Sequence, residues 1–453
     1  MKKQFGYIAF VAIFLVLCLI PAVGMFLPAA GETGGNEVLA PLPALRDAEG
    51  AWNADFFAEL GEYAEDNYYL RQRLVTAWSA LNQKALHTSI ADNVLLGSGG
   101  WLYFGDTLDD YTGNHLLSDA EIASAANNLA LMSDYCESLG AKFLFTVAPN
   151  KNSLYPQRMP DLPVFSARRN ADALRDALAA KNVPYYDLFE AFQAQSEILY
   201  FAQDSHWNSK GAALAADGLN RALGRKSDYF DGPFTAQNVH RGDLYAMLYP
   251  TGEALEPDEV YGGALDFTYD APIRSPENLT IMTSGGGEGS LLMFRDSFGN
   301  LLYPYLADSF GSAFFSRAAD YRLNLIEERN ADYVVIELVE RNIHYLIENI
   351  PVMPAPDLAA EEYPEEGAVS ETAVALAAEP DSGLAGYVLV RGTLPVPPDA
   401  GAFVALCGPG GCYEAFRLRD GGFGLYVSET ALEEDGLFLV TTVNGQAVSY
   451  PAV

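Results

Sequence analysis

The tetrapeptide Asp-Ser-Phe-Gly occurs twice, at 296–299 and again at 308–311. A serine becomes a nucleophile only where a base can take its proton and donors can hold the charge that develops on the attacked carbonyl. Ser297 lies three residues past the apolar run Ser-Leu-Leu-Met-Phe (290–294), which reads as a strand, and just before a helix starting near Gly299. A strand-to-helix turn lifts a side chain over the sheet, and the helix N-terminus offers amides and a positive dipole. The same place also suits a serine that merely caps a helix. Ser309 follows that helix and precedes the next apolar run, which puts it at the opposite end of the unit, away from the edge where ligands bind. The spacing favours Ser297.

A base is available among the five histidines. His206 lies in Tyr-Phe-Ala-Gln-Asp-Ser-His-Trp-Asn (200–208), with Asp204 two residues before it. An imidazole titrates near neutrality, and a carboxylate on its far nitrogen fixes its tautomer and stabilises the imidazolium. In an irregular loop Asp204 and His206 can do this; the plainer reading is a turn aspartate beside a surface histidine. His115 and His240 have no partner at readable spacing and receive no role, and Asp243 and Arg322 read as solvated positions, with lining of the groove as the alternative. No Cys/His ligand spacing is present, so zinc is not indicated and no cofactor is called for.

The elements that must position these groups alternate. Ser118-Asp-Ala-Glu121 is a capping box opening a helix that runs to Leu139 and stops at Gly140. A buried strand (141–149), a helix near 167–181, the strand at 290–294 and apolar runs at 312–317 and 332–339 follow. Strands alternating with helices predict a three-layer α/β domain on a parallel sheet, with ligands beyond the carboxyl ends of the strands. Residues 93–106 read as a hairpin, and Trp52–Leu86 as a helical stalk whose apolar face comprises Phe56, Leu60, Tyr63, Leu70 and Leu74. Residues 351–383, rich in Pro, Ala and Glu, have linker composition, and 384–453 alternate short apolar runs with glycine turns, as in a small β-sandwich. The domain reading is therefore 1–31, 32–92, 93–350, 351–383 and 384–453.

Composition bounds the partners and the compartment. The formal net charge of −33 repels polyphosphate backbones and argues against nucleic acid, but tolerates a neutral polysaccharide. Phe5 to Ala30 carry no charge and follow Lys2 and Lys3, which predicts a single-pass membrane anchor over 1–31 with the rest of the chain extracytoplasmic. A cleaved signal peptide is the alternative. Cys407 and Cys412 flank a glycine turn and could close a small disulfide in that compartment, while Cys136 reads as buried in a helix.

Several segments together resemble a known family. Asp204–Ala212, Asp-Ser-His-Trp-Asn-Ser-Lys-Gly-Ala, resembles the Asp-x-His-Trp segment of the DHHW proteins and of the SGNH-hydrolase-like alginate acetylation proteins AlgX and AlgJ. Arg-Asp-Ser-Phe-Gly-Asn (295–300) resembles their nucleophile segment, and Gly97–Asp106 their Gly-Trp-Leu entry. Val147–Pro156 resembles their Pro-x-Lys loop and Arg241–Leu248 their Gly-Asp-Leu segment, all in the family's order from about Trp52 to Asn349. The resemblance implies an SGNH-like fold with Ser297 as nucleophile, His206 as base and Asp204 as its orienter.

Two positions depart from the pattern: Ser205 stands where Thr or His is more usual, and Arg295 where ordinary SGNH enzymes have glycine. Ser205 is expected to point away from the serine; Arg295 leaves the oxyanion donors open. The candidates are the Ser297 amide, with Asn150, Lys151 or Tyr303 in support; each of these three has a structural alternative as a turn former, a solvated lysine or a core aromatic. Trp101 and Trp207 are candidates to stack on a sugar ring, or else packing residues. The implied activity is an O-acetyltransferase acting on an extracellular or cell-wall polysaccharide, with a membrane-bound O-acyltransferase as acetyl donor. A polysaccharide acetylesterase and a non-catalytic polysaccharide-binding or assembly scaffold are the alternatives.

Overall fold

The computed structural model describes residues 2–24, 39–46, 50–358, 368–379, 383–432 and 436–453. Helix α1 (Lys2–Gly24) is followed by α2 (Phe56–Asn67) and α3 (Arg71–Leu86). Met1 and residues 25–31 of the expected anchor lie outside the described residues, as do several α1 side chains. Among the described residues no helix is long and apolar enough to cross a membrane.

The apolar face expected over 56–74 does not become core. No α2 residue is buried, and α3 turns Ser79 and Asn82 inward while Leu74, Trp78 and Leu81 stay exposed. The contacts α3 makes with the following domain are polar: Gln83 accepts from the Tyr249 hydroxyl, and Thr76 from the amide and hydroxyl of Thr251. Periodicity identified the helices but not the side that packs.

The hairpin β1 (Val94–Leu96) and β2 (Leu102–Phe104) is antiparallel. After the short α4 (Leu108–Thr112), the capping box of Ser118 and Glu121 starts α5 (Asp119–Ser138). Strand β3 (Lys142–Ala148), the one-turn α6 (Lys151–Leu154), α7 (Asn170–Ala180), β4 (Tyr185–Tyr186), α8 (Leu188–Gln193) and α9 (Ser209–Ala222) follow. A second hairpin, β5 (Phe234–His240) and β6 (Glu256–Tyr261), carries α10 (Asp243–Leu248) at its tip. Strands β7 (Phe267–Tyr269), β8 (Thr280–Gly285) and β9 (Ser290–Phe294) lead to α11 (Gly299–Ser309), β10 (Ser312–Ser316) and β11 (Tyr333–Val339).

Seven strands form the central sheet in the order β4-β3-β11-β9-β10-β8-β7. The first five are mutually parallel, and β8 and β7 add an antiparallel edge. Both faces are covered, which is why β9 and β11 read as mainly apolar runs, β11 interrupted by the buried Glu337. One core joins α5 and α7 to Phe145, Phe294 and Ile336; the other joins α9 and α11 to Leu144, Met293 and Val335. Alternate residues of the same strands serve the two layers, as the period of two requires.

Residues beyond the sheet form two packed β-sheets, of five and four strands, around Val390, Leu406, Phe423, Leu425 and Leu439. The sequence reading of 351–383 as linker needs correction. Ala368–Val369 pairs with the C-terminal strand at Val448 and Ser449, Ala377–Glu379 pairs with residues 389–391, and Pro354 and Asp357 bridge to Tyr426 and Tyr413. Backbone pairing at a sheet edge needs no apolar pattern, so composition missed these strands. Residues 359–367 and 380–382 lie outside the described residues. Cys407 and Cys412, opposite each other across a two-stranded turn, form a disulfide, and Cys136 is buried and free.

Candidate active site

Strand β9 lies between β11 and β10, and the chain leaves its carboxyl end through Arg295, Asp296 and Ser297 into α11. Asp296 fixes this turn from two sides. Its Oδ1 accepts from the Phe298 amide at 2.9 Å, and its Oδ2 accepts from the Val339 amide at the end of β11 at 2.7 Å. Ser297 is thereby held over the sheet edge. Ser309 ends α11 and is occupied structurally, donating to the Tyr305 carbonyl at 2.9 Å and accepting from Asn220 at 2.9 Å.

The second loop is drawn tight by its own backbone. The Phe201 amide donates to the His206 carbonyl and the Asn208 amide to the Leu199 carbonyl, so residues 201–206 project from a narrow neck. Lys151, only 3% exposed, donates to the carbonyls of Phe201, Ala202 and Asp204 at 2.9, 3.0 and 2.6 Å. Glu256 accepts from the amides of Ala202 and Gln203 at 2.7 and 3.1 Å. Trp207 is fully buried, stacks on Phe192 and donates to the Phe298 carbonyl at 3.1 Å. It thus ties the residue after the histidine to the residue after the serine.

These constraints bring three side chains into line across 91 residues of sequence. His206 Nε2 is 2.8 Å from Ser297 Oγ, and His206 Nδ1 is 2.7 Å from Asp204 Oδ1. With the Nδ1 proton directed at the carboxylate, Nε2 is left as the acceptor for the serine proton. Burial would push the Asp204 carboxyl up, but the imidazoles of His206 and His240 hold it well below the usual carboxylate range. Burial lowers His206, yet Asp204, helped by Asp243, outweighs burial and the opposing charge of Arg341 and holds the imidazole above its ordinary value. Ser297, His206, Asp243, Arg341, Phe104 and Met247 line a cavity of about 380 Å³. The Arg341 guanidinium lies over the rings of Phe104 and Phe298, 5.3 and 5.7 Å from their centres.

The remaining candidates take structural places. Asn150 is buried, with its side chain on Asp110 and its amide on Glu340, and Lys151 holds the 201–204 loop rather than facing a substrate. Burial lowers the Lys151 ammonium to about 8 against the pull of Asp204, Asp243 and Glu256. Tyr303 is a core aromatic whose hydroxyl meets that of Tyr269, and Arg295 is buried over the Tyr303 ring with its guanidinium on Asn300 and the Pro276 carbonyl. None of these four side chains lines the cavity with Ser297. Trp207 has no surface for a sugar, and Trp101 is buried between Tyr155 and the cations of Lys151 and Arg158. Of the oxyanion candidates, only the Ser297 amide lies on the residue facing this cavity, two residues before α11.

Three residues set aside in the sequence belong here. Ser205, expected to matter little, is buried: its hydroxyl donates to Asp243 Oδ2 at 2.5 Å, and its amide donates to Asp243 Oδ1 at 2.8 Å. Asp243 Oδ2 lies 3.6 Å from His206 Nδ1, and burial together with Asp204 raises its carboxyl. His240 Nε2 is 2.9 Å from Asp204 Oδ2. The signal for Asp243 was its place in the Gly-Asp-Leu segment; His240, three residues before it, had none beyond proximity.

Gly242 explains how that segment closes on the site. A Cβ there would meet the Gln203 carbonyl oxygen at 2.1 Å, and the close approach lets the Asp243 amide donate to Asp204 Oδ2 at 2.9 Å. Asp204, His206 and Asp243 are also close enough to share a cation, their ligand atoms lying within 4.8 Å of one another.

Fold and site together define an α/β domain with a serine after a central strand of its sheet. Residues 94–262 match the family described as SGNH hydrolase-like domain, acetyltransferase AlgX. The resemblance to the DHHW and AlgX–AlgJ proteins read from the motifs therefore holds. The chain is 28% identical over 196 residues to a probable alginate O-acetylase AlgJ of Pseudomonas syringae pv. tomato, covering 41% of this chain and 48% of that protein. It spans about half the length of the curated relatives it matches. A DHHW family protein from Eubacterium siraeum is similar at 17% identity and a TM-score of 0.41, over 57% of this chain and 99% of that one. The O-acetyltransferase domain of Pseudomonas putida AlgJ is similar at 16% identity and a TM-score of 0.37, over 57% and 94% of the two chains.

Proposed function

We propose that this protein is a serine-dependent O-acetyltransferase that acetylates a polysaccharide outside the cytoplasm. The observation that carries the reading is the unbroken line Ser297 Oγ–His206 Nε2 and His206 Nδ1–Asp204 Oδ1, at 2.8 and 2.7 Å, opening onto a cavity. Similarity to the probable alginate O-acetylases supports acetyl as the group and polysaccharide as the acceptor class.

In this reading Ser297 Oγ attacks the acetyl carbonyl while its proton passes to His206 Nε2, and Asp204 stabilises the imidazolium. The tetrahedral oxyanion faces the Ser297 amide and the α11 N-terminus. Collapse breaks the bond to the donor oxygen, which takes the proton from His206 and leaves an acetyl-serine. A sugar hydroxyl then gives its proton to His206 and attacks, and breakdown returns that proton to Ser297 Oγ. Water in place of the sugar would make the protein an acetylesterase. The donor we propose is a membrane-bound O-acyltransferase that presents acetyl outside the membrane, where acetyl-CoA is not expected. The disulfide at Cys407 and Cys412 supports an extracytoplasmic chain, and the uncharged sequence from Phe5 to Ala30 after two lysines is what supports an anchor.

The test is an assay of the full chain with an artificial acetyl ester and an added oligosaccharide, each product quantified. Acetyl on the oligosaccharide supports transfer, and free acetate alone supports an esterase. If Ser297→Ala and His206→Ala leave polymer acetylation in cells unchanged, the enzyme reading fails in favour of a scaffold.

A further inference from the structure

A carboxylate that orients a histidine must itself be held, because a rotating carboxylate lets the imidazole swing away from the serine. Asp204 Oδ1 faces His206, accepting from Nδ1 at 2.7 Å and from the His206 amide at 2.9 Å. The other oxygen has two donors of its own, the Asp243 amide and His240 Nε2, each at 2.9 Å. Both oxygens of a buried carboxylate are thus saturated, one side by the base and the other by a second histidine. His240 ends β5, and its ring is stacked on Phe201 at 3.7 Å between centres and 7° between planes. Phe201 belongs to the same loop as Asp204, so the second histidine grips both the backbone side and the acid of that loop.

We propose that His240 is a positioning residue: its Nε2–H fixes the distal oxygen of Asp204 so that the proximal oxygen stays on His206 Nδ1 in line with Ser297. This inference deepens the acetyl-transfer reading and rests on it for its kinetic consequence, but not for its geometric one. A ring that only filled space would need no donor aimed at Asp204.

Its loss has a signed consequence. The charged or titratable groups around His240 are Asp204, Glu256 and Asp258, and those around His206 are Asp204, Asp243 and Arg341. Removing the Nε2–H donor frees the distal oxygen, so the carboxylate turns off His206 Nδ1 and its hold on the imidazolium weakens. The His206 midpoint then moves to lower pH.

The test compares the full chain with His240→Phe, which keeps a ring for Phe201, and His240→Gln, which restores an N–H donor. NMR titration of 15N-histidine-labelled protein reads His206 directly, without relying on turnover. The expected result is a downward shift of the His206 midpoint in His240→Phe and its return towards the wild-type value in His240→Gln. With an artificial acetyl ester, kcat falls about ten- to a hundredfold in His240→Phe at a KM within about twofold of wild type. The glutamine variant recovers most of that loss. An unmoved His206 midpoint in His240→Phe, or equal impairment of both variants with no shift, overturns the inference. Turnover that survives Ser297→Ala counts against the function instead, and the NMR midpoint still decides the positioning role.

Discussion

At the scale of single residues, the proposed mechanism makes the serine, the imidazole and the carboxylate act as a unit, so removing one should remove most of what all three do. Ser297→Ala and His206→Ala should each lower kcat for an acetyl ester by about 10³-fold or more, with melting temperature unchanged in Ser297→Ala and lowered in His206→Ala, which strips the buried Asp204 of a partner. The pH dependence follows from the direction in which the base is shifted. His206 is held above its ordinary value of 6.5 and must be neutral to accept the serine proton, so kcat/KM should rise with pH with a midpoint above 6.5. Asp204→Asn removes the charge that holds the imidazole up. It should move that midpoint below the wild-type one and lower kcat, since the tautomer is no longer fixed. A pH profile of the two proteins checks both signs.

Elements matter here because the site is built from loops, and loops need internal support. The 201–206 loop has it in Lys151, whose ammonium holds three carbonyls from below. Lys151→Met keeps the volume and strands those acceptors in a buried place, which should cost on the order of 3 kcal/mol of stability and misalign His206. The expected readouts are a lower denaturation midpoint and a fall in kcat greater than any change in KM. Gly242→Ala acts from the opposite side: a Cβ would collide with the Gln203 carbonyl, backbone that cannot turn aside. Esterase turnover should fall about tenfold or more as the Asp243 segment is pushed off Asp204.

For the whole molecule, the α/β domain and the β module share a buried seam. Asn128 of α5 is fully buried; its Nδ2 donates to the carbonyls of Leu346 and Arg417 at 2.8 and 2.9 Å, and its Oδ1 accepts from the Arg417 amide at 2.9 Å. Phe416 and Tyr426 of the module belong to the same core as Phe294 and Ile336. Asn128→Leu leaves three buried polar groups unpaired and should cost on the order of 3 kcal/mol, seen as a lower melting temperature. Because the seam lies on α5, remote from Ser297, kcat on a small ester should stay near wild type.

What could be read from residue order alone was local. The Asp-Ser-Phe-Gly turn after an apolar strand, the capping box at Ser118 and the aspartate two residues before His206 are short-range patterns, and short-range sterics and hydrogen bonding decide them. Which buried group faces which could not be read that way. Lys151, Trp207 and Tyr303 look like ligands or sugar platforms in a list of residue types, and become supports only once packing removes them from solvent. His240, Ser205 and Asp243 looked idle because their partners are assembled by the tip of the β5–β6 hairpin closing on another loop. Contacts between distant segments depend on the folded path of the chain, and only the tertiary structure could settle them.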